Sequence, residues 1–302
     1  MEYSYSIIIP HYNDFDRLKR LVSTIPIRVD IEIIIIDDNS TVFPDISAFP
    51  DRAIQVLLNN SGIQSAGACR NIGLKAAKGK WLLFADSDDF FVQGAFDFID
   101  EFSETEYDIV YFKTTSFDLS TGSISDRHIF FNNLIYDFIA GKNERIRYAF
   151  SVPWGKLISN NFIQKKSIIF DEVIVSNDII FSLKSGCLAS KIAVSEKEIY
   201  CITNREGSLT TIFEPNVLRV RYQMSLKRNS LLSELNLNIY QESFISLIKK
   251  YYQILDFKSC CKLFKLTISG ELALVPTRWK LLFIDTIGHY MDKFLYKFNL
   301  MK

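Results

Sequence analysis

The sequence has no apolar run of the 18 or more residues that a membrane-spanning helix needs. Its opening, MEYSYSIIIPHYND, has no basic segment followed by an apolar one, so no secretory leader is read there. The expected location is the cytoplasm, at most peripherally on the inner face of the cell membrane. Cysteines number five, an odd count with no C-x-x-C spacing, which excludes a disulfide framework and a recognisable zinc site. Net charge is also lacking: 35 basic and 35 acidic residues cancel, which argues against a nucleic-acid partner. There are no internal repeats and no low-complexity linker, so solenoids and tethered modules are out.

What is present is an ordinary folded composition, with 48% hydrophobic and 23% charged residues over 302 positions. Strand and helix signals alternate over the first 115 residues. Ser6–Pro10, Ile31–Ile36, Ala53–Leu58 and Lys80–Ala85 are short apolar runs of the kind buried on both sheet faces. Helical spacing joins them at Phe15–Val22 and Ala66–Ala77, and again after Gly94. This alternation predicts an α/β fold with a mostly parallel sheet flanked by helices. Residues 116–215 are less regular, and from about residue 216 the pattern is helical. The zero net charge conceals an asymmetry, because residues 219–302 carry +8 and residues 1–218 carry −8.

In open parallel sheets, ligands bind beyond the carboxyl ends of the strands. Three polar clusters sit at such ends: Pro10-His11-Tyr12-Asn13-Asp14, Asp37-Asp38-Asn39-Ser40 and Asp86-Ser87-Asp88-Asp89. Crowded carboxylates repel one another, and a hard divalent cation completed by substrate phosphates relieves that repulsion.

The blocks SIIIPHYND, IIIIDDNS and GACRNIGLKAAKGKWLLFADSDD, in this order and spacing, resemble the family 2 glycosyltransferases of the GT-A fold. A further block, PWGKLISNNFI followed by IIFDEVIVSNDIIF, extends the resemblance to about residue 212. Asn177 stands where the family usually has Glu, and Asp178 matches the family's Asp. The resemblance implies a GT-A nucleotide-diphosphosugar domain over 1–215, with a donor half over about 1–115 and an acceptor half over about 116–215. A basic, aromatic-rich helical region then occupies 216–302.

The function implied is metal-dependent, inverting transfer of a sugar from a UDP-sugar to a glycan hydroxyl in capsule, O-antigen or exopolysaccharide synthesis. Pro10, Tyr12, Asp14, Asp38, Arg70, Asp86 and Ser87 would bind the nucleotide-sugar. Tyr12 would stack on uracil and Asp38 would accept its imide N–H. Asp88, assisted by Asp86, would ligate Mn²⁺ or Mg²⁺. Arg70, read at a helix start, would meet the diphosphate. Asp178 is the expected general base, with Asp171 and Glu172 as fallback carboxylates. Trp154 has two readings, a platform for a sugar ring or a core side chain.

Two alternatives remain at this level. A catalytically silent, membrane-docked scaffold of the same fold draws on Asn177. A sugar nucleotidyltransferase needs a glycine-rich loop after the first strand, which SIIIPHYNDFDR lacks. In the C-terminal region, Lys249-Lys250-Tyr251-Tyr252, Trp279–Ile284 and Tyr290–Phe298 interleave basic and aromatic residues. Such segments suit an anionic membrane surface, and hence a lipid-linked acceptor. A helical cap or an oligomer interface is the other reading.

Overall fold

The computed structural model describes residues 3–204 and 213–274. The chain divides into two compact units, 1–212 and 213–302.

In the first unit the strands are β1 (Tyr5–His11), β2 (Ile31–Asp37), β3 (Ala53–Leu58), β4 (Trp81–Phe84), β5 (Phe90–Phe91), β6 (Ile109–Asp118), β7 (Ser123–Ile124), β8 (Lys156–Ser159) and β9 (Ile192–Asn204). The helices are α1 (Phe15–Ser23), α2 (Ala66–Ala76), α3 (Ala95–Asp100), α4 (Ile129–Ile139), α5 (Ile146–Ala149), α6 (Asn160–Lys166) and α7 (Ile179–Leu188). One sheet runs in the order β3-β2-β1-β4-β8-β6-β9-β5, with β7 on β6.

The β1–β2, β1–β4 and β2–β3 pairings are parallel, as the alternating sequence pattern predicts. Beyond β4 strand direction varies, with β6 and β9 again parallel. β8 is antiparallel to both β4 and β6, and β5 is antiparallel to β9. The sheet is therefore mixed, and the irregular-looking middle of the sequence supplies its second half.

The isoleucine runs of β1 and β2 are buried because both faces of this part of the sheet are covered. One polar group is sealed among them. Glu32 Oε1 accepts hydrogen bonds from Ser6 Oγ at 2.6 Å and from the amides of Lys78 at 2.6 Å and Gly79 at 3.1 Å. A buried acceptor satisfied by backbone amides fixes the α2-to-β4 connection against β1. Gly79 is required there, since a Cβ would lie 2.6 Å from the Ser6 nitrogen.

The second unit contains α8 (Pro215–Glu234), α9 (Phe244–Tyr251) and α10 (Phe257–Ile268). Leu218, Leu247, Tyr251, Leu263 and Leu272 form its core. Among the described residues, no helix is long and apolar enough to cross a membrane.

Helix α7 packs against α5 without a gap, and a Cβ at Gly186 would fall 1.9 Å from the Arg147 carbonyl oxygen. Gly186→Ala is expected to cost about 3 kcal/mol. Gly122 has a left-handed φ of 69° but open space around it, so Gly122→Ala should cost only about 1 kcal/mol. Urea unfolding of the two variants checks this, and equal losses would refute the close packing of α7.

Candidate active site

The parallel register sets the carboxyl ends of β1 and β2 side by side, with His11 opposite Asp37. The loops after them are tied together. Asp38 N donates to the His11 carbonyl at 2.7 Å, Asn13 N to Ser40 Oγ at 2.8 Å, and Thr41 N to Asn13 Oδ1 at 2.8 Å. Asn13 and Asn39 take left-handed φ values of 50° and 64°, which asparagine tolerates in tight turns. Asp38 is buried, and its Oδ1 accepts from Asn59 Nδ2 at 2.5 Å. Tyr12, by contrast, is 50% exposed and offers an open ring face. Pro10 is partly buried at the end of β1, and the Asp14 carboxylate is paired with Arg17.

The turn after β4 carries Asp86, Ser87, Asp88 and Asp89, the first three partly exposed. Asp89 is buried, and its Oδ1 accepts from Thr203 N at 2.8 Å. Burial, reinforced by the charges of Asp88 and Asp86, pushes its carboxyl well above the usual range. Asp89 is thus an anchor of the turn to β9. Thr203 Oγ1 and Arg20 both donate to the Asp88 carbonyl, the former at 2.7 Å. The Asp86 amide donates to Tyr200 Oη at 2.8 Å.

Arg70 joins this turn to the segment before α7. Its Nη2 lies 2.5 Å from Asp86 Oδ1, and its Nη1 donates to Asn177 Oδ1 at 2.8 Å. Below it, Phe170 stacks on Phe181 at 3.8 Å, and the guanidinium sits 5.4 Å from the Phe170 ring centre. Arg70 is only 4% exposed, and its partners are protein groups. The N-terminus of α2 is likewise filled. Ser65 Oγ accepts from Gly67 N at 3.1 Å and donates to the Val173 carbonyl at 2.7 Å. A Cβ at Gly67 would lie 2.1 Å from the Asp171 carbonyl oxygen. Arg70 and the start of α2 thus both hold the 171–178 segment against α2.

Asp178 occupies the residue before α7 and forms no side-chain cap with it. Its carboxyl is pushed upward chiefly by burial, and the nearby Asp86 charge adds to this, whereas Arg70 and Lys156 oppose it. Of the fallback carboxylates, Glu172 Oε1 accepts from Asn71 Nδ2 at 3.0 Å. Lys156 is buried on β8, donates to the Phe150 carbonyl at 2.8 Å, and faces the rings of Tyr111 and Phe150. Burial drops its ammonium to about 7, with the Asp178 charge acting in the other direction.

Trp154 resolves in favour of the core. It is 4% exposed, stacked on Tyr200 with centroids 6.0 Å apart and 16° between planes, and edge-on to Phe131 at 5.0 Å. With its faces covered it cannot carry a sugar ring, and it instead backs the tyrosine that meets the Asp86 amide.

Sequence reasoning missed Tyr200, Thr203, Asn59 and Arg20, which hold the loops in place. None lies in a motif, and only the β5–β9 register, with Phe91 opposite Tyr200, brings β9 to the acidic turn. It also understated His11, which is buried with neither ring nitrogen hydrogen-bonded and its basicity lowered by burial.

As for a metal, no cluster of three His, Cys, Asp or Glu side chains able to hold an ion occurs among the described residues. The turn instead presents Asp88 beside an Asp86 already shared with Arg70, an all-oxygen set. Such a set fits Mg²⁺ or Mn²⁺, which take one or two carboxylates and draw their remaining ligands from water and phosphate. A cleft of about 940 Å³ lies at the opposite, amino ends of β1 and β4, near Tyr3, Lys80, Trp81 and Asn160, and contains none of these groups.

Residues 6–165, more than half of the chain, match the sequence pattern of Glycosyl transferase family 2. The chain belongs to this family. It is 28% identical to the glycosyltransferase GlyG of Streptococcus pneumoniae over 92% of its own length and 95% of that protein. Over 33% of its length, and 41% of the other protein, it is 40% identical to the UDP-Glc:alpha-D-GlcNAc-diphosphoundecaprenol beta-1,3-glucosyltransferase WfaP of Escherichia coli. In fold it resembles residues 1–349 of Staphylococcus aureus TarS, solved in complex with UDP-GlcNAc. The TM-score is 0.61 at 21% identity, covering 87% of this chain and 79% of that one. Against full-length TarS, a poly(ribitol-phosphate) beta-N-acetylglucosaminyltransferase, the chain spans 36% of the length. The protein is a glycosyltransferase of GT-A fold, with relatives in bacterial surface-polysaccharide synthesis.

The buried lysine gives a prediction with a defined sign. Between pH 7 and the ordinary lysine value of 10.5, the unfolded chain holds the Lys156 proton and the folded chain does not. Stability should therefore rise with pH in that window. From pH 7 to 9, wild type should gain about 2 kcal/mol on Lys156→Met in urea unfolding. Parallel curves would show that Lys156 is ordinarily solvated.

Proposed function

We propose that this glycosyltransferase moves a sugar from a UDP-sugar to a hydroxyl of a glycan acceptor, with inversion and with help from a divalent ion, in the assembly of a bacterial surface polysaccharide. The observation that carries the proposal is the junction at Arg70. It couples the acidic turn, where a nucleotide diphosphate and its ion would bind, to the segment bearing Asp178.

In this reading the exposed Tyr12 ring stacks on the uracil, contributing roughly 1 kcal/mol. Asp38, held by Asn59, accepts the imide N–H, which cytosine does not offer in that form. Pro10 shapes the same loop, while Asp14 orders it through Arg17. Asp86 and Ser87 meet the ribose and the first phosphate. Asp88 with Asp86 would hold Mn²⁺ or Mg²⁺, which offsets charge growing on the departing diphosphate. Asp178 takes the proton from the acceptor hydroxyl as it attacks the anomeric carbon opposite the leaving group. A carboxyl raised by burial suits this role, because a base works best with its pKa near the working pH. Arg70 is the positioning residue between the two halves.

The acceptor in this reading is a growing glycan, lipid-linked as the name of WfaP states for its own substrate. The basic C-terminal region would rest on the anionic inner leaflet. Of the segments expected to do so, residues 279–298 lie outside the described residues. The 249–252 segment is largely committed elsewhere: Tyr251 is buried against Ser225, with the two hydroxyls 2.9 Å apart, and Lys250 is paired with Glu242.

Calorimetric titration with UDP, GDP and CDP, with and without Mn²⁺, tests the donor assignment. UDP alone should bind tightly, and only with metal. Asp88→Ala should weaken that binding at least tenfold. Asp178→Asn should leave UDP affinity within about twofold while transfer falls by 10² or more, the usual worth of a general base. Normal transfer by Asp178→Asn would remove the base assignment. A folded protein that binds no nucleotide would instead be the silent scaffold.

A further inference from the structure

Helix α10 contains no acidic residue, and its exposed surface is divided into two lines. Leu263 is fully buried in the core of its unit. On another face, Phe257, Phe264 and Ile268 are 85%, 57% and 71% exposed. With the partly buried Cys261 they follow the spacing i, i+4, i+7 and i+11, which draws one straight stripe along a helix. Lys258, Lys262 and Lys265 each come one residue after a member of that stripe, so they form a parallel line about 100° further round. All three are exposed, and Lys262 and Lys265 make no ion pair among the described residues.

We propose that α10 docks the protein on an anionic lipid surface, with Phe257, Phe264 and Ile268 at the acyl boundary and the lysines among the headgroups. The proposal rests on the membrane part of the function proposed above and supplies the element that carries it. Two observations select lipid over a second copy of the chain. The stripe is about 16 Å long with three large side chains, short of the roughly 800 Å² per partner that a stable dimer buries. An antiparallel isologous pairing of α10 would also bring like-charged lysine lines together, whereas an anionic surface accepts the apolar and the basic line at once.

Co-sedimentation of the full-length protein with phosphatidylcholine vesicles, with and without phosphatidylglycerol, tests the proposal. Wild type should bind only the anionic vesicles. A Lys258→Gln, Lys262→Gln, Lys265→Gln variant should bind them about a hundredfold more weakly. A Phe257→Gln, Phe264→Gln, Ile268→Gln variant should lose binding by tenfold or more. Both should keep the wild-type unfolding midpoint, since every altered side chain is exposed. If wild type ignores anionic vesicles, the membrane reading falls together with this proposal. If wild type binds and both variants bind equally well, the reading stands and α10 is not its element. Equal binding to neutral vesicles would exclude the lysine line, and a dimer lost in the apolar variant would reassign the stripe to contact between copies.

Discussion

The guanidinium of Arg70 is the interaction on which the site depends. It is a buried cation whose charge is met by Asp86 on one side and whose second arm is met by neutral Asn177 on the other. Removing one partner of a buried charge pair costs far more than the pair contributes, because the remaining charge has no water to turn to. The acidic turn after β4 and the loop before α7 come from stretches about 90 residues apart in the chain, and this bridge sets their spacing. The aromatic stack of Phe170 and Phe181 beneath it restricts where the guanidinium can go.

The amide at Asn177 has a consequence for charge. A carboxylate at that position would give Arg70 two anions to neutralise and leave Asp178 beside a nearly cancelled field. With the neutral amide, the positive field of Arg70 is shared by Asp86 and Asp178, and it opposes the rise that burial imposes on Asp178. Lys156 acts in the same direction from β8. The carboxyl is thereby held between two tendencies. Departure from the family's usual Glu is in this light compatible with catalysis, and it is not by itself a mark of a silent scaffold.

Much of the first half was legible from residue order because its physics is local. The isoleucine runs of β1 and β2 can be little other than strands buried on both faces, and Asp and Asn after them can only turn. Ala53–Leu58 is read from sequence with the bounds the structure has. The antiparallel pairing around β8 was not legible, since its four residues, Lys156–Ser159, read as a fragment of a motif. Trp154 illustrates the same limit. A tryptophan beside a glycine and a lysine has one composition whether it faces sugar or core, and only the arrival of Tyr200 from β9 covers its face.

For Arg70, residue order showed its nearness to the acidic groups but not its second partner, Asn177. A cation in the first turns of a helix beside acidic motifs reads as a phosphate ligand, because sequence shows the helix end and not what lies against it. The segment 171–178 lies there, and Gly67 is small so that it can. At the start of α2 a serine hydroxyl meets the first amides, and the guanidinium meets Asn177 and Asp86. In the proposed reading, a divalent ion at the acidic turn would add positive charge facing the diphosphate. A single arginine turned inward thus ties the acidic turn to the segment that carries Asp178.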